Sequence, residues 1–397
     1  MRARLKAIMK SSRFLYLLYY YVGTFGLRLL GLLVRVNPKQ VMFVSYGGQK
    51  YDDSPRVVYE AMKKKGLDKL YRCVWAFNKP EEFSGINYSV KIDTLKYYIV
   101  AMQSAYWITN SSATRGLNFK KKKTKNFFFT HGMTGIKKIG NDIEKTQGTF
   151  RRNFTEVKDA IFIEGKYEID ILAHAWNYER DAYVNVGLPR NDDLVSVTTE
   201  EIVKIKHRLG IPIEKKIILY TPTFREQSRD KNKSNVLGIP FDFEKWERAF
   251  SDEYVMLITA HYEVAKLLGE LPQNGFVFNA FKYPVLNDLL KVADIMISDY
   301  SSVIFDYAIL ERPIFCYGYD YDNYKLERGV YTDLDTLFSQ GVFRNEDELI
   351  QTIKTMDFEK ECQFTRKNIK EKYLTYYDGK AAERAVEMIF GGTKNAE

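Results

Sequence analysis

The chain contains few residues of the kinds that bind metal ions or form disulfide bonds. Its three cysteines, Cys73, Cys316 and Cys362, are widely spaced and form neither a CxxC pair nor a cluster with histidines. This arrangement supports neither a zinc site nor a disulfide scaffold, and it is typical of a reducing, cytosolic compartment. The sequence therefore predicts no metal site and no bound cofactor.

The chain also lacks the common signatures of nucleotide hydrolases and of nucleic-acid-binding proteins. A glycine-rich GxxxxGK[ST] sequence is absent, which argues against a P-loop NTPase. The formal net charge of +9 is compatible with an anionic membrane, a nucleic acid or a phosphorylated substrate. Because no RNP, zinc-finger or helix-turn-helix signature accompanies this charge, we expect no nucleic-acid partner.

Residues 1–37 form a candidate membrane-associating segment. A basic cluster is followed by an apolar, aromatic run over residues 14–34, which contains Arg28 and three glycines. The run is long enough to span a bilayer, but a charge at that depth is costly, and no small-residue cleavage site marks a signal peptide. We therefore expect an amphipathic helix that binds an anionic membrane surface peripherally, at its cytoplasmic face. A single span and a helix packed on a soluble body are the alternatives.

Short apolar runs alternate with helical patterns over the rest of the chain, which indicates a parallel α/β architecture. The predicted strands cover residues 40–45, 71–77, 106–110, 126–130, 160–163, 216–220, 254–259, 293–298 and 312–317. A chain of 397 residues exceeds what one hydrophobic core usually serves, so we expect two domains, at residues 38–192 and 193–397. Because open α/β sheets bind ligands at the carboxyl ends of their strands, a cleft between the domains is the expected site.

Two of the four histidines follow predicted strands, one in each expected domain. His131 follows residues 126–130, and His261 follows residues 254–259. An imidazole can remove a proton from a hydroxyl group near neutral pH, and Lys138 together with backbone N–H groups could hold phosphate oxygens. A histidine that is only hydrogen-bonded within a loop is the competing interpretation.

Two further strand ends carry polar residues suited to phosphate. Arg225 lies in the turn after residues 216–220, where its guanidinium could pair with phosphate, although a solvent-facing turn explains it equally. Ser301 and Ser302 lie where a strand runs into a helix, and their hydroxyls with the free N–H groups of a helix start predict an anion site. Asp306, one turn later, could accept a hydrogen bond from a ribose or polyol hydroxyl. Simple helix capping is the alternative for this segment.

Taken in order, the motifs resemble those of the CDP-glycerol glycerophosphotransferase family of teichoic acid synthesis. The resembling segments are residues 41–56, 130–140, 187–192, 222–225, His261 and residues 297–317 with a continuation at 327–331. A single motif of this kind would be weak evidence for the family, whereas six motifs in the same order are specific evidence. The resemblance implies a GT-B fold, with two Rossmann-like domains facing a central cleft and an N-terminal amphipathic membrane-binding segment.

The resemblance also implies an activity and a role for each matching residue. It implies transfer of glycerol phosphate from CDP-glycerol to a hydroxyl of a polyprenyl-diphosphate-linked acceptor, with release of CMP. His131 would be the general base on the acceptor hydroxyl, and His261 would contact the transferring phosphate. The residues expected to bind the CDP-polyol are Gly132, Met133, Thr134, Gly135, Lys138, Arg190, Pro222, Thr223, Arg225, Ser301, Ser302 and Asp306.

The sequence departs from the family pattern at Thr130, at residues 133–136 and at Thr259. A CDP-ribitol donor, a capsule-type polymer and a GT-B glycosyltransferase that uses a nucleotide sugar are therefore alternatives. A non-catalytic membrane-associated nucleotide-binding protein is a further alternative, although binding alone does not require the two histidines. The length of the chain is that of a single catalytic module, which favours limited addition to a lipid-linked disaccharide.

Overall fold

The computed structural model describes residues 13–132, 134–143, 156–223, 240–259, 271–272 and 274–391. Two parallel β-sheets with hydrophobic clusters on their faces make up this part of the chain. The α/β architecture with two sheets that the sequence predicts is therefore confirmed.

The first sheet is built from the first half of the chain. Its strands are β1 (Asn37–Val44), β2 (Arg72–Phe77), β3 (Ser89–Lys91), β4 (Ser104–Thr109), β5 (Lys125–Phe129), β6 (Ala160–Ile163) and β7 (Tyr183–Asn185). They lie in the order β3-β2-β1-β4-β5-β6-β7, and each neighbouring pair is parallel. Residues 40–44 of β1 are all buried, because both faces of the sheet are covered, and this burial explains the continuous apolar run in the sequence.

The second sheet follows the same plan. Its strands are β8 (Lys216–Thr221), β9 (Tyr254–Ile258), β10 (Val277–Asn279), β11 (Ile295–Ser298), β12 (Ile314–Tyr317) and β13 (Val342–Phe343). They lie in the order β10-β9-β8-β11-β12-β13, again with parallel pairs. In both sheets the strand order reverses beside the first strand, which is the doubly wound arrangement that leaves a ligand crevice at that point.

Helices connect the strands and cover the sheets. The helices of the first half are α1 (Arg13–Leu33), α2 (Asp53–Lys64), α3 (Leu95–Gln103) and α4 (Tyr167–Trp176). Those that follow are α5 (Thr199–Leu209), α6 (Phe243–Phe250), α7 (Leu286–Val292), α8 (Val303–Ala308), α9 (Tyr321–Glu327), α10 (Leu334–Leu337), α11 (Glu346–Thr355), α12 (Phe358–Phe364), α13 (Glu371–Tyr373) and α14 (Ala381–Phe390). Helix α5 begins with a capping box, in which Thr198 and Glu201 satisfy each other's backbone N–H groups.

The last helix, α14, returns to the first sheet. Ala385 and Ile389 of this helix pack in one hydrophobic cluster with Phe43 and Trp75 of the first sheet. The chain therefore crosses from the second half back to the first before it reaches residue 391. The predicted division between residues 192 and 193 stays a prediction, and it did not include this return.

Helix α1 packs against the first half of the molecule through only one of its faces. Tyr16, Tyr20 and Thr24 are buried, and Gly23 allows a close approach, since a Cβ there would lie 3.0 Å from Leu117. The other face exposes Phe14, Leu18, Tyr21, Val22, Phe25, Leu29, Leu32 and Leu33. By length and composition alone, residues 14–33 could also cross a membrane. The helix thus combines a docked face with a continuous apolar surface.

Candidate active site

Polar residues, including several that the sequence singles out, lie at the carboxyl ends of strands in both sheets. Tyr46 follows β1 and His131 follows β5 in the first sheet. Thr223 follows β8, and Tyr300 and Ser302 follow β11 in the second sheet. Because β1 and β8 are the strands beside which the order reverses, these ends border the crevices of both sheets.

His131 is held on the first half of the molecule by two neighbours. Its Nδ1 atom lies 3.4 Å from Oδ2 of Asp53, and its ring stacks on Tyr46 with centroids 5.0 Å apart and planes 19° apart. The hydroxyl of Tyr46 donates a 2.8 Å hydrogen bond to the same Asp53 oxygen. The His131 side chain is 42% exposed, whereas that of Asp53 is 1% exposed. The imidazole therefore contacts a buried carboxylate and is itself accessible to solvent.

The charges around Asp53 favour its ionised form. Burial acts to raise the pKa of Asp53, but the hydrogen bond with His131 and the charge of Arg190 outweigh it, so the pKa lies below its ordinary value. Burial and the charge of Asp53 raise the pKa of Tyr46, whose hydroxyl therefore stays protonated and can donate. Asp53 is consequently a buried anion that faces three polar side chains, those of Tyr46, His131 and Arg190.

Arg190 joins this group to the second half of the chain. Its Nη1 atom lies 3.4 Å from Oδ2 of Asp53, and its Nη2 atom donates to Oδ2 of Asp306 on α8. Asn191 donates 2.6 Å hydrogen bonds to the other oxygen of Asp306 and to Glu164. A single buried network of charges therefore spans the interface between the halves, with Arg190 at its centre.

The loop after His131 packs tightly on this network. Gly132 has φ +86°, and a Cβ atom there would lie 2.5 Å from Nη2 of Arg190 and 3.5 Å from Oδ2 of Asp306. A Cβ at Gly135 would lie 3.3 Å from the ring of Phe305. Glycine at these positions lets the backbone N–H groups of the loop come close to the second half of the chain.

A buried carboxylate supports the same loop from below. Oε1 of Glu168 accepts a 2.8 Å hydrogen bond from the backbone N–H of Thr134, and Oε2 accepts one of 2.8 Å from Glu164 and one of 3.3 Å from Gly165. Burial raises the pKa of Glu168 to about 7, although these backbone N–H groups oppose the shift. Burial and the nearby charge of Asp306 raise the pKa of Glu164 to about 8. The loop therefore lies above two carboxyl groups that hold protons more tightly than usual.

The second half contributes a hydroxyl-bearing turn. The backbone N–H of Val303, the first residue of α8, lies 3.4 Å from Oγ of Ser301, and Ser302 occupies the N-cap position. Because α8 has six residues, the hydroxyls and N–H groups of the turn matter more than a helix dipole. Asp299 accepts 2.9 Å and 3.0 Å hydrogen bonds from the backbone N–H of Thr223, which fixes the turn after β8 beside it.

The two halves share one pocket of about 170 Å³. His131, Gly132, Thr134 and Gly135 line it from the first half, and Tyr300 and Ser302 line it from the second. Its remaining lining residues are Phe128, Thr130, Ile136, Lys137, Ile139 and Trp176. The candidate base and the candidate phosphate-binding hydroxyls thus open onto the same crevice.

The other predicted site residues have varied positions. Lys138 binds Gly329 through its backbone at 3.1 Å, and its side chain lies against the same glycine. Pro222 is half-buried beside Thr223. Met133, Arg225 and His261 lie outside the described residues. Among the residues that the structure does describe, no group of three or more histidine, cysteine or carboxylate side chains is arranged to hold a metal ion.

Sequence reasoning missed the residues that hold His131. The segment containing Asp53 is interpretable only as a helix start, and Tyr46 only as part of a loop after a strand. Both residues adopt positive φ values, +47° for Tyr46 and +63° for Asp53, which non-glycine residues rarely do. No pattern in the sequence marks these conformations, and the contact of Asp53 with His131 spans 78 residues of chain.

Comparison with known proteins gives consistent matches. The sequence pattern of the family described as CDP-glycerol:poly(glycerophosphate) glycerophosphotransferase matches residues 27–391. The chain is 31% identical to the teichoic acid glycerol-phosphate transferase of Staphylococcus aureus, over 89% of this chain and 93% of that protein. It is 29% identical to the teichoic acid poly(glycerol phosphate) polymerase of Bacillus spizizenii, over 97% and 99% respectively. The corresponding polymerase of Staphylococcus epidermidis is also 29% identical over 89% of this chain, but the chain spans only 51% of its length.

Solved structures agree with these matches. A variant of the wall teichoic acid polymerase TagF superposes with a TM-score of 0.81 at 29% identity, over 93% of both chains. A TagF variant studied with CDPG superposes with a TM-score of 0.80 over the same share. UDP-GlcNAc 2-epimerase from Neisseria meningitidis, at 13% identity and a TM-score of 0.52, shares the fold alone.

Proposed function

Because the chain belongs to the CDP-glycerol:poly(glycerophosphate) glycerophosphotransferase family and is a CDP-glycerol glycerophosphotransferase of teichoic acid synthesis, we propose a specific reaction for it. It transfers glycerol phosphate from CDP-glycerol to a hydroxyl group of a polyprenyl-diphosphate-linked acceptor. The fold that carries this reaction is GT-B, with residues 38–192 and 193–397 as the domains and α14 packed back on the first. The observation that carries the proposal is the single pocket shared by His131 and Ser302.

In this reaction His131 acts as the general base. The acceptor hydroxyl loses its proton to the imidazole, and its oxygen forms a bond to the phosphorus that carries the glycerol. The bond from this phosphorus to the bridging oxygen of CMP breaks, and CMP leaves with the electron pair. General-base catalysis of this kind contributes roughly 10²–10⁴-fold to a rate.

The donor phosphates bind where the two halves meet. Ser301 and Ser302 supply hydroxyls, and Ser302 lines the pocket together with Gly132 and Gly135 of the loop after His131. Arg190 and Asp306 pair with each other and lie against Gly132. When the donor binds, they replace some of the hydrogen bonds of this pair with contacts to the polyol or the phosphate. Thr134, Lys138, Pro222 and Thr223 complete the described set. Met133, Arg225 and His261 are assigned to donor and phosphate binding through the family pattern alone.

The acceptor occupies the first half of the chain, beyond His131. The pocket wall there includes Phe128 and Trp176, whose rings pack edge to face with centroids 5.9 Å apart. An aromatic wall suits the apolar face of a sugar ring better than it suits a chain of phosphates. This wall supports a lipid-linked disaccharide as the acceptor.

The enzyme meets this lipid-linked acceptor at the cytoplasmic face of the membrane. The exposed face of α1 carries eight large apolar or aromatic side chains, from Phe14 to Leu33, while its opposite face is docked on the protein. Aromatic rings favour the headgroup zone, and the net charge of +9 attracts anionic lipid.

The direct test is replacement of His131 by alanine. CMP release from CDP-glycerol with a synthetic polyprenyl-disaccharide acceptor should fall by roughly 10²–10⁴-fold, while calorimetric binding of CDP-glycerol stays close to wild type. His207→Ala, which changes an exposed histidine on α5, is the matched control and should keep full activity. Wild-type turnover by His131→Ala would remove the general-base assignment.

The donor is tested with the same assay. The assay compares the release of CMP from CDP-glycerol and CDP-ribitol with the release of UDP from a set of UDP-sugars. Mass spectrometry then gives the masses of the products. Release of CMP from CDP-glycerol with one or a few added units is the expected result. Turnover of UDP-sugars without turnover of either CDP-polyol would contradict the proposed donor.

A further inference from the structure

The carboxylate of Asp53 is placed to control His131. Its Oδ2 atom lies 3.4 Å from Nδ1 of His131, and it also accepts a 2.8 Å hydrogen bond from Tyr46. Asp53 begins α2, and its side chain is almost completely removed from solvent. A buried carboxylate beside one imidazole nitrogen leaves the other nitrogen for chemistry.

The residues that contact His131 have energetically unfavourable backbone conformations. Tyr46 and Asp53 both adopt the left-handed conformation that is unfavourable for residues other than glycine. Strained conformations persist only where the surrounding structure holds them, and they cluster at functional sites. Here the two strained residues are those that touch the ring of His131, one by stacking and one at Nδ1.

We propose that Asp53 is a positioning residue for the transfer reaction, which holds the proton of His131 on Nδ1 and leaves Nε2 to accept the proton of the acceptor hydroxyl. The stacked ring of Tyr46 limits rotation of the imidazole. This inference rests on the function proposed above and adds a residue that acts through His131 rather than on the substrate.

The charge balance of the step is favourable. When Nε2 takes the acceptor proton, the imidazolium forms beside an anion that is already desolvated and fixed, so little reorganisation is needed. The charged or titratable groups that face Asp53 are Tyr46, His131 and Arg190, and Arg190 is shared with Asp306. Because the pKa of Asp53 is held below its ordinary value, the carboxylate stays ionised throughout the working pH range.

Asp53→Asn is the most informative variant, because asparagine has the same shape and tolerates a left-handed backbone. Asparagine can donate to Nδ1 and so stabilise the wrong tautomer. We expect kcat to fall by roughly 10²–10⁴-fold with the KM for CDP-glycerol unchanged. The acid limb of the kcat/KM profile should also move to lower pH, because the imidazolium loses its anion.

Asp52→Asn is the matched control. Asp52 is the adjacent carboxylate at the N-cap of α2, it pairs with Arg56 at 3.7 Å, and asparagine caps a helix equally well. This variant should keep wild-type kcat and pH profile. Circular dichroism and thermal melting of both variants identify any general loss of folding.

A double variant separates positioning from an independent role. If Asp53 acts through His131, then Asp53→Asn should reduce the residual activity of His131→Ala no further. If Asp53→Asn lowers the activity of His131→Ala by the same factor by which it lowers the activity of the wild type, the proposal for Asp53 alone is overturned. A wild-type kcat for Asp53→Asn, while His131→Ala is inactive, would also overturn it. Full activity of His131→Ala would instead overturn the proposed function.

Discussion

The backbone N–H of Tyr331 donates a 2.7 Å hydrogen bond to the carbonyl oxygen of Ile136, which joins the loop after His131 to the second half of the chain. The pairing continues, because Lys137 and Val330 form an antiparallel bridge. The segment that carries the base is therefore fixed to the half that carries Ser302. This link limits movement of the base relative to Ser302.

Tyr331→Phe tests this link. The hydroxyl of Tyr331 donates to Asp142 and accepts a 3.3 Å hydrogen bond from the backbone N–H of Ile139, so its removal should cost about 1 kcal/mol in the free energy of unfolding. Tyr283→Phe is the control, since that hydroxyl donates to Asp288 at 2.9 Å away from the pocket. Both variants should lose similar stability in urea, but only Tyr331→Phe should lower kcat/KM. Equal kcat/KM values would show that the link does not affect transfer.

Gly132→Ala should reduce activity more than its effect on stability explains. The variant adopts an unfavourable positive φ, at a cost of about 1–2 kcal/mol, and its Cβ would displace Arg190. Gly116→Ala has a similar φ of +83° but no atom within 4 Å of the added Cβ, so it carries the backbone cost alone. We expect a larger loss of unfolding free energy for Gly132→Ala than for Gly116→Ala, and a loss of CMP release confined to Gly132→Ala. Similar activities would argue against a role for the Gly132–Arg190 contact.

The raised pKa of Glu164 predicts that the free energy of unfolding decreases as pH rises. Its folded pKa of about 8 exceeds the ordinary value of 4.5, so between these values the folded protein binds a proton that the unfolded chain has released. Glu164 should therefore lower the free energy of unfolding as pH rises across this window, by up to about 1.4 kcal/mol per pH unit, in addition to the contribution of Glu168. Glu164→Gln mimics the protonated form and should flatten the fall, measured by urea unfolding at several pH values.

The exposed glutamate Glu359 on α12 provides the control for this experiment. Glu359→Gln should keep the wild-type slope of unfolding free energy against pH. If Glu164→Gln also keeps that slope, the proton taken up on folding belongs to another group.

Leu29→Glu should weaken membrane binding. Leu29 lies on the exposed face of α1, and removal of a large apolar side chain from a lipid contact costs about 1.5–3 kcal/mol, or roughly tenfold or more in affinity. Leu326→Glu, on α9, changes a leucine that is even more exposed and lies on another helix, so it should leave binding unchanged. Co-sedimentation with vesicles containing anionic lipid measures both. Equal binding by all three proteins would place the membrane contact elsewhere.

The central strands of both sheets could be predicted from the sequence, whereas the edge strands could not. The nine predicted strands correspond to β1, β2, β4, β5, β6, β8, β9, β11 and β12. The strands that the sequence did not reveal are β3, β7, β10 and β13, which have two or three residues and lie at the sheet edges. Central strands are buried on both faces and need apolar runs, but a short edge strand is fixed mainly by backbone pairing, which leaves no residue pattern.

The ends of α2 and α5 show the same distinction at the level of single residues. The cap of α5 is a local motif, in which Thr198 and Glu201 lie three residues apart. Ser54, which precedes Pro55 and has a side chain suited to capping, does not cap α2: Asp52 holds the N-cap position, and the Ser54 hydroxyl accepts a 3.4 Å hydrogen bond from the backbone N–H of Arg190. A contact across 136 residues of chain overrides a local preference that is worth only about 1 kcal/mol.

The sequence by itself determined the two parallel sheets, the family and the strand-end positions of His131 and Ser302, because these follow from local burial patterns and short motifs. Only the tertiary structure decided that these residues share one pocket, that Asp53 lies against the imidazole and that Arg190 links Asp53 to Asp306. Such pairings depend on how distant strand ends are brought together, and a charged residue in a loop has the same local pattern whether it faces solvent or a buried partner.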